Sequence, residues 1–159
     1  MNFRRLMLLA PLAAALLGAC ATPTAPVSVA DTLARNPDLS TLNGLVIQAG
    51  LADTLRGPGP FTVFAPTNAA FKDVPAKTLD ALAHDPAKLK AVLTYHVLPG
   101  KIMAADVKNG DATTVQGGKV GLGRAGEFVT VDDAMVQQAD IVASNGVVHT
   151  VDRVLMPAR

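Results

Sequence analysis

Near its C-terminus the chain reads Asn145-Gly146-Val147-Val148-His149-Thr150-Val151-Asp152-Arg153-Val154-Leu155-Met156-Pro157. Alternation along a strand puts Val147, His149, Val151 and Leu155 on one face and Val148, Thr150 and Val154 on the other. A strand with one wet face alternates apolar and polar, whereas one that is apolar on both sides has to be covered on both. The segment therefore belongs in the middle of a sheet, with strands at both edges and packed material on both faces. His149, flanked by apolar residues on its own face, reads as a core histidine with satisfied ring nitrogens. Asp152 and Arg153 point to opposite sides, each making a structural bond or a rim salt bridge.

Phe61-Thr62-Val63-Phe64-Ala65 is a second buried-strand pattern. Pro66 stops it, because proline lacks the donor that a further ladder bond needs. Thr67 or Asn68 can then accept from the amides of a short helix carrying Ala69, Ala70 and Phe71.

The two halves of the chain differ in period. Leu39, Leu42, Leu45, Val46 and Ala49 recur at three- and four-residue steps, with Asp38 or Ser40 to cap the helix and Gly50 to end it. Leu79 and Leu82 follow Pro75 as a first helical residue, and Asp85-Pro86 starts a further helix with Leu89, Val92 and Leu93 facing inward. After residue 100, short Val, Ile, Thr and Phe runs are separated by Lys108-Asn109-Gly110-Asp111, Gln116-Gly117-Gly118, Arg124-Ala125-Gly126 and Ser144-Asn145-Gly146. These are strands joined by tight turns. The split predicts an α+β domain with helices gathered on an antiparallel sheet system.

Arg4 and Arg5 precede an apolar run from Leu6 to Leu17 and then Leu17-Gly18-Ala19-Cys20, which together form an export signal. The run falls short of the roughly 20 apolar residues that cross a bilayer as a helix. Its last four residues resemble a bacterial lipobox, which predicts cleavage after residue 19 and a lipid on the Cys20 thiol. Cys20 is the sole cysteine, so it has no internal disulfide partner. Ordinary secretion is the alternative, because Ala19-Cys20-Ala21 also fits a general signal peptidase. In a diderm host, Ala21 after the cysteine resembles the sorting signal for the outer membrane. Residues 20–30 carry no charge before Asp31 and read as a tether, spanning roughly 30 Å when extended. Residues 31–159 form one domain. Without Arg4 and Arg5 there are 12 basic and 13 acidic residues, a formal net charge of −1, so nothing recruits nucleic acid.

Four segments resemble the fasciclin domain family, in its order: Gly50 to Leu55, Thr62 to Phe71, Leu93 to Gly100, and Asn145 to Pro157. The resemblance covers roughly residues 30 to 157. It implies a β wedge of about seven mostly antiparallel strands flanked by the helices of the N-terminal half, and a binding or adhesion module rather than an enzyme. Many relatives carry an acid where this chain has Ala69. In animal relatives, a tyrosine and histidine matching Tyr95 and His96 are linked to receptor adhesion. Two roles are thus open for the pair: contact with a partner, or fastening a helix end to the sheet.

Catalytic sets are missing from the pattern. Ser28, Ser40 and Ser144 are the only serines and none sits on a G-x-S-x-G elbow. His84, His96 and His149 lack metal-ligand spacing, and Glu127 is the sole glutamate. Asp132-Asp133 reads as a hairpin turn, and Gly121-Leu122-Gly123 as a fragment between strands rather than a phosphate loop. The expectation is an exported lipoprotein, anchored to the cell envelope, that binds another protein or an extracellular polymer without metal or cofactor. A small-ligand or metal carrier is the alternative, and a hydrolase a more distant one.

Overall fold

The computed structural model describes residues 27–157. The expected leader, Cys20 and the tether up to residue 26 lie outside the described residues. The elements run α1 (Val29–Arg35), α2 (Ser40–Gln48), α3 (Ala52–Arg56), β1 (Phe61–Pro66), α4 (Asn68–Lys72), α5 (Ala76–His84), α6 (Pro86–Tyr95), β2 (Val97–Pro99), β3 (Gly110–Thr113), β4 (Lys119–Ala125), β5 (Phe128–Val131), β6 (Ala134–Ala143) and β7 (Gly146–Val151), with single 3-10 turns at Pro37–Leu39 and Ala104–Asp106.

Several helix starts follow from local chemistry. Asp85 caps α6 by accepting from the amides of Ala87 and Lys88, both at 3.1 Å, and Pro86 follows as expected. At α5, Pro75 is the capping residue rather than the first helical one. Thr67 Oγ1 accepts from the Ala70 amide at 3.3 Å and caps α4. Asn68, the other candidate, turns away to a different helix. Its Oδ1 accepts from the Thr41 amide at 3.0 Å, and its Nδ2 donates to the Pro37 carbonyl at 2.9 Å. The start of α2 is therefore capped from across the fold, and neither Asp38 nor Ser40 serves as the side-chain cap expected for it. Gly50, at φ +69°, does end that helix.

The first helix begins two residues before position 31. Ser28 caps α1 by accepting from the Asp31 amide at 3.2 Å, and Val29 and Ala30 are buried. These two apolar residues sit in a tether-like Ala/Val/Ser composition, yet they pack in the core.

One seven-stranded sheet has the order β2-β1-β7-β6-β5-β4-β3. Every pairing is antiparallel except β1 with β7. The edge strands approach one another where the Val115 amide donates to the Val97 carbonyl at 2.8 Å, which nearly closes the sheet into a wedge. As expected, β7 is central, and all six of its residues are buried. Val148 joins the core between sheet and helices, while Val151 and Leu155 join the core inside the wedge. Burying each such side chain contributes about 1.5–3 kcal/mol.

The strand itself ends at Val151, sooner than the alternation suggests. Asp152 leaves the ladder to bond back to β6, its Oδ1 accepting from the Met135 amide at 2.7 Å and its own amide donating to the Met135 carbonyl at 3.1 Å. Leu155 reaches the core from an irregular segment.

The β6–β7 turn does more than reverse the chain. The Asn145 carbonyl accepts from the Phe61 amide at 3.0 Å, and its Oδ1 from the Val29 amide at 2.8 Å. Its Nδ2 donates to the Leu55 and Gly57 carbonyls, both at 2.7 Å. One residue thus ties α1, the end of α3 and the start of β1 to the sheet.

Candidate functional site

The end of α6 carries the two residues singled out by sequence, and the fold turns both inward. Tyr95 is 5 % exposed and His96 2 %. Tyr95 Oη donates to the Lys119 carbonyl at 2.7 Å and meets Asp132 Oδ2 at 3.1 Å. Burial, reinforced by the Asp132 carboxylate, pushes its phenol up to about 12, so the hydroxyl keeps its proton. Asp132, at φ +50° in the β5–β6 turn, also accepts from the Gly121 amide at 2.6 Å. The expected hairpin turn is there, and its first aspartate anchors Tyr95.

His96 bridges three elements. Its Nδ1 lies 2.8 Å from the Val92 carbonyl, its Nε2 accepts from the Leu155 amide at 2.9 Å, and its carbonyl accepts from the Phe64 amide at 2.9 Å. An Nε2 that accepts and an Nδ1 that faces a carbonyl define a neutral ring protonated on Nδ1. Burial lowers its pKa to about 4, with the Val92 carbonyl opposing. His149 is likewise satisfied: its Nε2 faces the Ile102 carbonyl at 2.8 Å, its Nδ1 accepts from the Asp140 amide at 3.1 Å, and its ring stacks on Phe64 at 5.6 Å. His84 is exposed and faces the Asp80 carbonyl of its own helix at 2.7 Å.

The Leu155 amide held by His96 belongs to a segment that forms one wall of an open groove. Residues Arg153, Val154, Met156 and Pro157 line that wall, and α5, α6 and the end of α4 line the rest, enclosing about 1210 Å³. Leu82, Val92 and Val154 supply apolar floor, while Lys77, Lys88, Arg153 and Asp73 stand at the rim. Gln116, in the β3–β4 turn, reaches the groove from the sheet side and accepts from the Gly118 amide at 2.9 Å. The sequence singled out His96 but not the groove whose wall it holds. Its lining comes from four separated segments, and no local pattern joins them.

Other candidates have structural employment. Ser28 caps α1, Ser40 Oγ meets Asn68, and the Ser144 amide donates to the Val27 carbonyl at 2.8 Å. Among the described residues, no three His, Cys, Asp or Glu side chains gather where a metal ion could be held. Among the same residues, no helix is long and apolar enough to cross a membrane.

Residues 37–157 match the Fasciclin domain profile. The protein sll1483 of Synechocystis is 41% identical over 145 residues, covering 90% of this chain and 80% of that protein. The cell surface glycolipoprotein MPB83 of Mycobacterium bovis is 38% identical over 152 residues, covering 87% of this chain and 68% of the relative. Among solved structures, the FAS1 domain pair of the insect cell adhesion molecule Fasciclin I superposes with a TM-score of 0.69 at 16% identity, over 82% of this chain and 51% of that one. The chain belongs to the fasciclin domain family. Membership supports a non-enzymatic, adhesion-like role, and the relatives include cell-surface proteins.

Proposed function

We propose that this protein is an envelope lipoprotein, anchored through a lipid on Cys20, whose fasciclin domain binds another protein or an extracellular polymer at the groove beside α5 and α6. The observation that carries this reading is the placement of the groove relative to Val27, where the described chain begins. The chain enters the fold at Val27 and Val29, which bond to Ser144 and Asn145 at the start of β7. β7 leads to Arg153–Pro157 at its other end. The six residues of β7 span roughly 20 Å, so Val27 and the groove lie at opposite ends of the central strand. A protein held at one end presents the other to its surroundings.

In this reading Tyr95 and His96 act in binding by position. Tyr95 fixes the β3–β4 side, His96 fixes the C-terminal wall, and neither needs to touch the partner. The name of MPB83, a cell surface glycolipoprotein, supports the anchor, and that of Fasciclin I, a cell adhesion molecule, supports the role. A closed-cavity carrier finds less support, because the apolar void lined by Leu33, Leu42 and Val97 measures about 30 Å³, room for a single water.

Two measurements test the reading. Fractionation of cells carrying Cys20→Ala is expected to move the protein out of the membrane fraction. The mature chain from residue 20, with Cys20→Ala and immobilised, is expected to capture a saturable partner from labelled envelopes. A protein that stays on the membrane after the substitution removes the anchor, and the absence of any saturable partner removes the binding role.

A further inference from the structure

The groove has a chemical bias that the rest of the domain lacks. Its rim holds three cations, Lys77, Lys88 and Arg153, against one acid, Asp73, whereas the chain without Arg4 and Arg5 carries 12 basic and 13 acidic residues. Lys88 is partly neutralised by Asp85 at 3.2 Å. Among the described residues Lys77 and Arg153 make no ion pair, and they stand on different walls, one on α5 and one on the C-terminal segment. Between them the floor is apolar.

Size and shape narrow the occupant. Sites that engulf small molecules measure roughly 300–1,000 Å³ and cover most of the ligand. This groove is larger, at about 1210 Å³, and stays open to solvent. A small molecule would leave most of itself in water there. A polypeptide segment with an apolar stripe fills such a shape, as amphipathic helices do in grooves built from helices. Carboxylates on both flanks of that stripe then meet cations on both walls, where complementary charge sets register and encounter rate.

We propose that the groove seats an acidic amphipathic segment of a partner protein, with its apolar stripe on Leu82, Val92 and Val154 and its carboxylates at Lys77 and Arg153. This rests on the recognition reading above and names the partner chemistry of the same surface. Lys77 and Arg153 are exposed, so reversing their charge leaves the core untouched.

The test uses two fluorescent 18-residue probe peptides with leucine at helical i, i+3, i+4 and i+7 positions, one filled with glutamate and one with lysine. Against the mature chain carrying Cys20→Ala, the glutamate probe is expected to bind saturably and at least tenfold more tightly than the lysine probe, more weakly as salt rises. Amide shift changes are expected to gather around α5, α6 and residues 153–157. K77E/R153E, with an unchanged melting temperature, is expected to reverse the preference, and A81W, which projects a ring from the groove wall, to weaken both probes. Equal binding of the two probes, no saturable glutamate-probe binding, or shifts elsewhere would overturn the proposal. So would binding to phosphatidylglycerol vesicles through the same residues in place of the peptide, because the groove would then face lipid. An envelope partner captured equally well by K77E/R153E sinks this inference and leaves the recognition reading standing, whereas the absence of any partner sinks that reading.

Discussion

Asn145 engages its carbonyl, its Oδ1 and both hydrogens of its Nδ2 with groups on α1, α3 and β1. Replacing it with Ala keeps the main-chain bond and removes three side-chain bonds, leaving the Val29 amide and the Leu55 and Gly57 carbonyls to find water in a half-buried place. At about 1 kcal/mol or more for each stranded group, Asn145→Ala is expected to lower stability by roughly 3 kcal/mol, measured by urea unfolding. From sequence, Asn145-Gly146 could be read only as a turn. An asparagine in a turn announces a local bend, and nothing local announces partners near residues 29, 55 and 57.

His96 shows the opposite balance at the same scale. Its inward, satisfied state was among the roles open from sequence, since a histidine at a helix end before an apolar run has a core to enter. The pH dependence follows from its neutral form. Folding lowers the pKa from 6.5 to about 4, so between those values the unfolded chain binds a proton that the folded chain refuses. Stability is full above pH 6.5, falls as pH drops through the window, and loses no more from this group below about 4. A shift of this size corresponds to roughly 3 kcal/mol, an order-of-magnitude figure. His149 is shifted in the same direction, chiefly by burial, and adds to the same slope. Asp31 and Asp85, whose carboxyls are lowered by hydrogen bonds from Ser28 and from Lys88 respectively, lose their contribution only at more acidic pH. His96→Ala strands the Leu155 amide and opens a cavity, and is expected to lower the melting temperature by about 10 °C while flattening the stability profile between pH 4 and 6.5. An unchanged slope would mean that this ring is not the titrating group.

Among the elements, β7 and its neighbours test why particular glycines are needed. Gly146 is the partner of Phe61 in the parallel pairing, and a Cβ there would run into the Phe61 carbonyl oxygen. The constraint is the close approach of β1, not a left-handed turn, since Gly146 is absent from the positive-φ residues. Gly146→Ala is expected to cost about 3 kcal/mol or to prevent folding, because the Cβ has no rotamer to escape by and the atom it meets is backbone held in the ladder. Gly44, exposed in α2 with nothing within 4 Å of a built Cβ, is the contrasting case. Gly44→Ala is expected to raise stability by about 0.5–1 kcal/mol through helix propensity and a less flexible unfolded chain. Parallel melting curves of the two variants, moving in opposite directions, check both.

How far an element could be read from sequence follows how local its causes are. Asp85-Pro86 and the inward Leu89, Val92 and Leu93 of α6 are written in one short stretch, residues 85–93, and the structure reproduces them. The two-sided pattern of β7 placed it in the centre of the sheet for the same reason. Its early end was hidden, because apolar spacing continues through Val154 and Leu155 although the ladder has stopped at Asp152. Five-residue α3 is too short to show a period, and α1 begins inside a tether-like composition. The cap of α2 is not legible from its neighbours, because its acceptor, Asn68, lies 27 residues from the amide it serves.

At the scale of the whole molecule, the two ends of β7 differ in what they carry: Val27 enters at one and the groove opens at the other. In the proposed lipoprotein the domain swings about an anchor attached ahead of Val27, but the end nearer that attachment stays closer to the bilayer on average than the other end. Ser144 lies at the end where the described chain begins, bonded to Val27, and Ala81 lies on the groove at the far end. Both are exposed and tolerate a small fluorophore on an introduced cysteine. In vesicles carrying headgroup spin labels, the lipidated protein labelled at position 144 is expected to be quenched more strongly than the protein labelled at 81, with the gap widening as residues 21–26 are shortened. Acidic partner segments would then meet a groove that on average faces away from the bilayer. Equal quenching at the two positions, or stronger quenching at 81, would place the groove against the membrane and withdraw it from the surroundings that the proposed partner occupies.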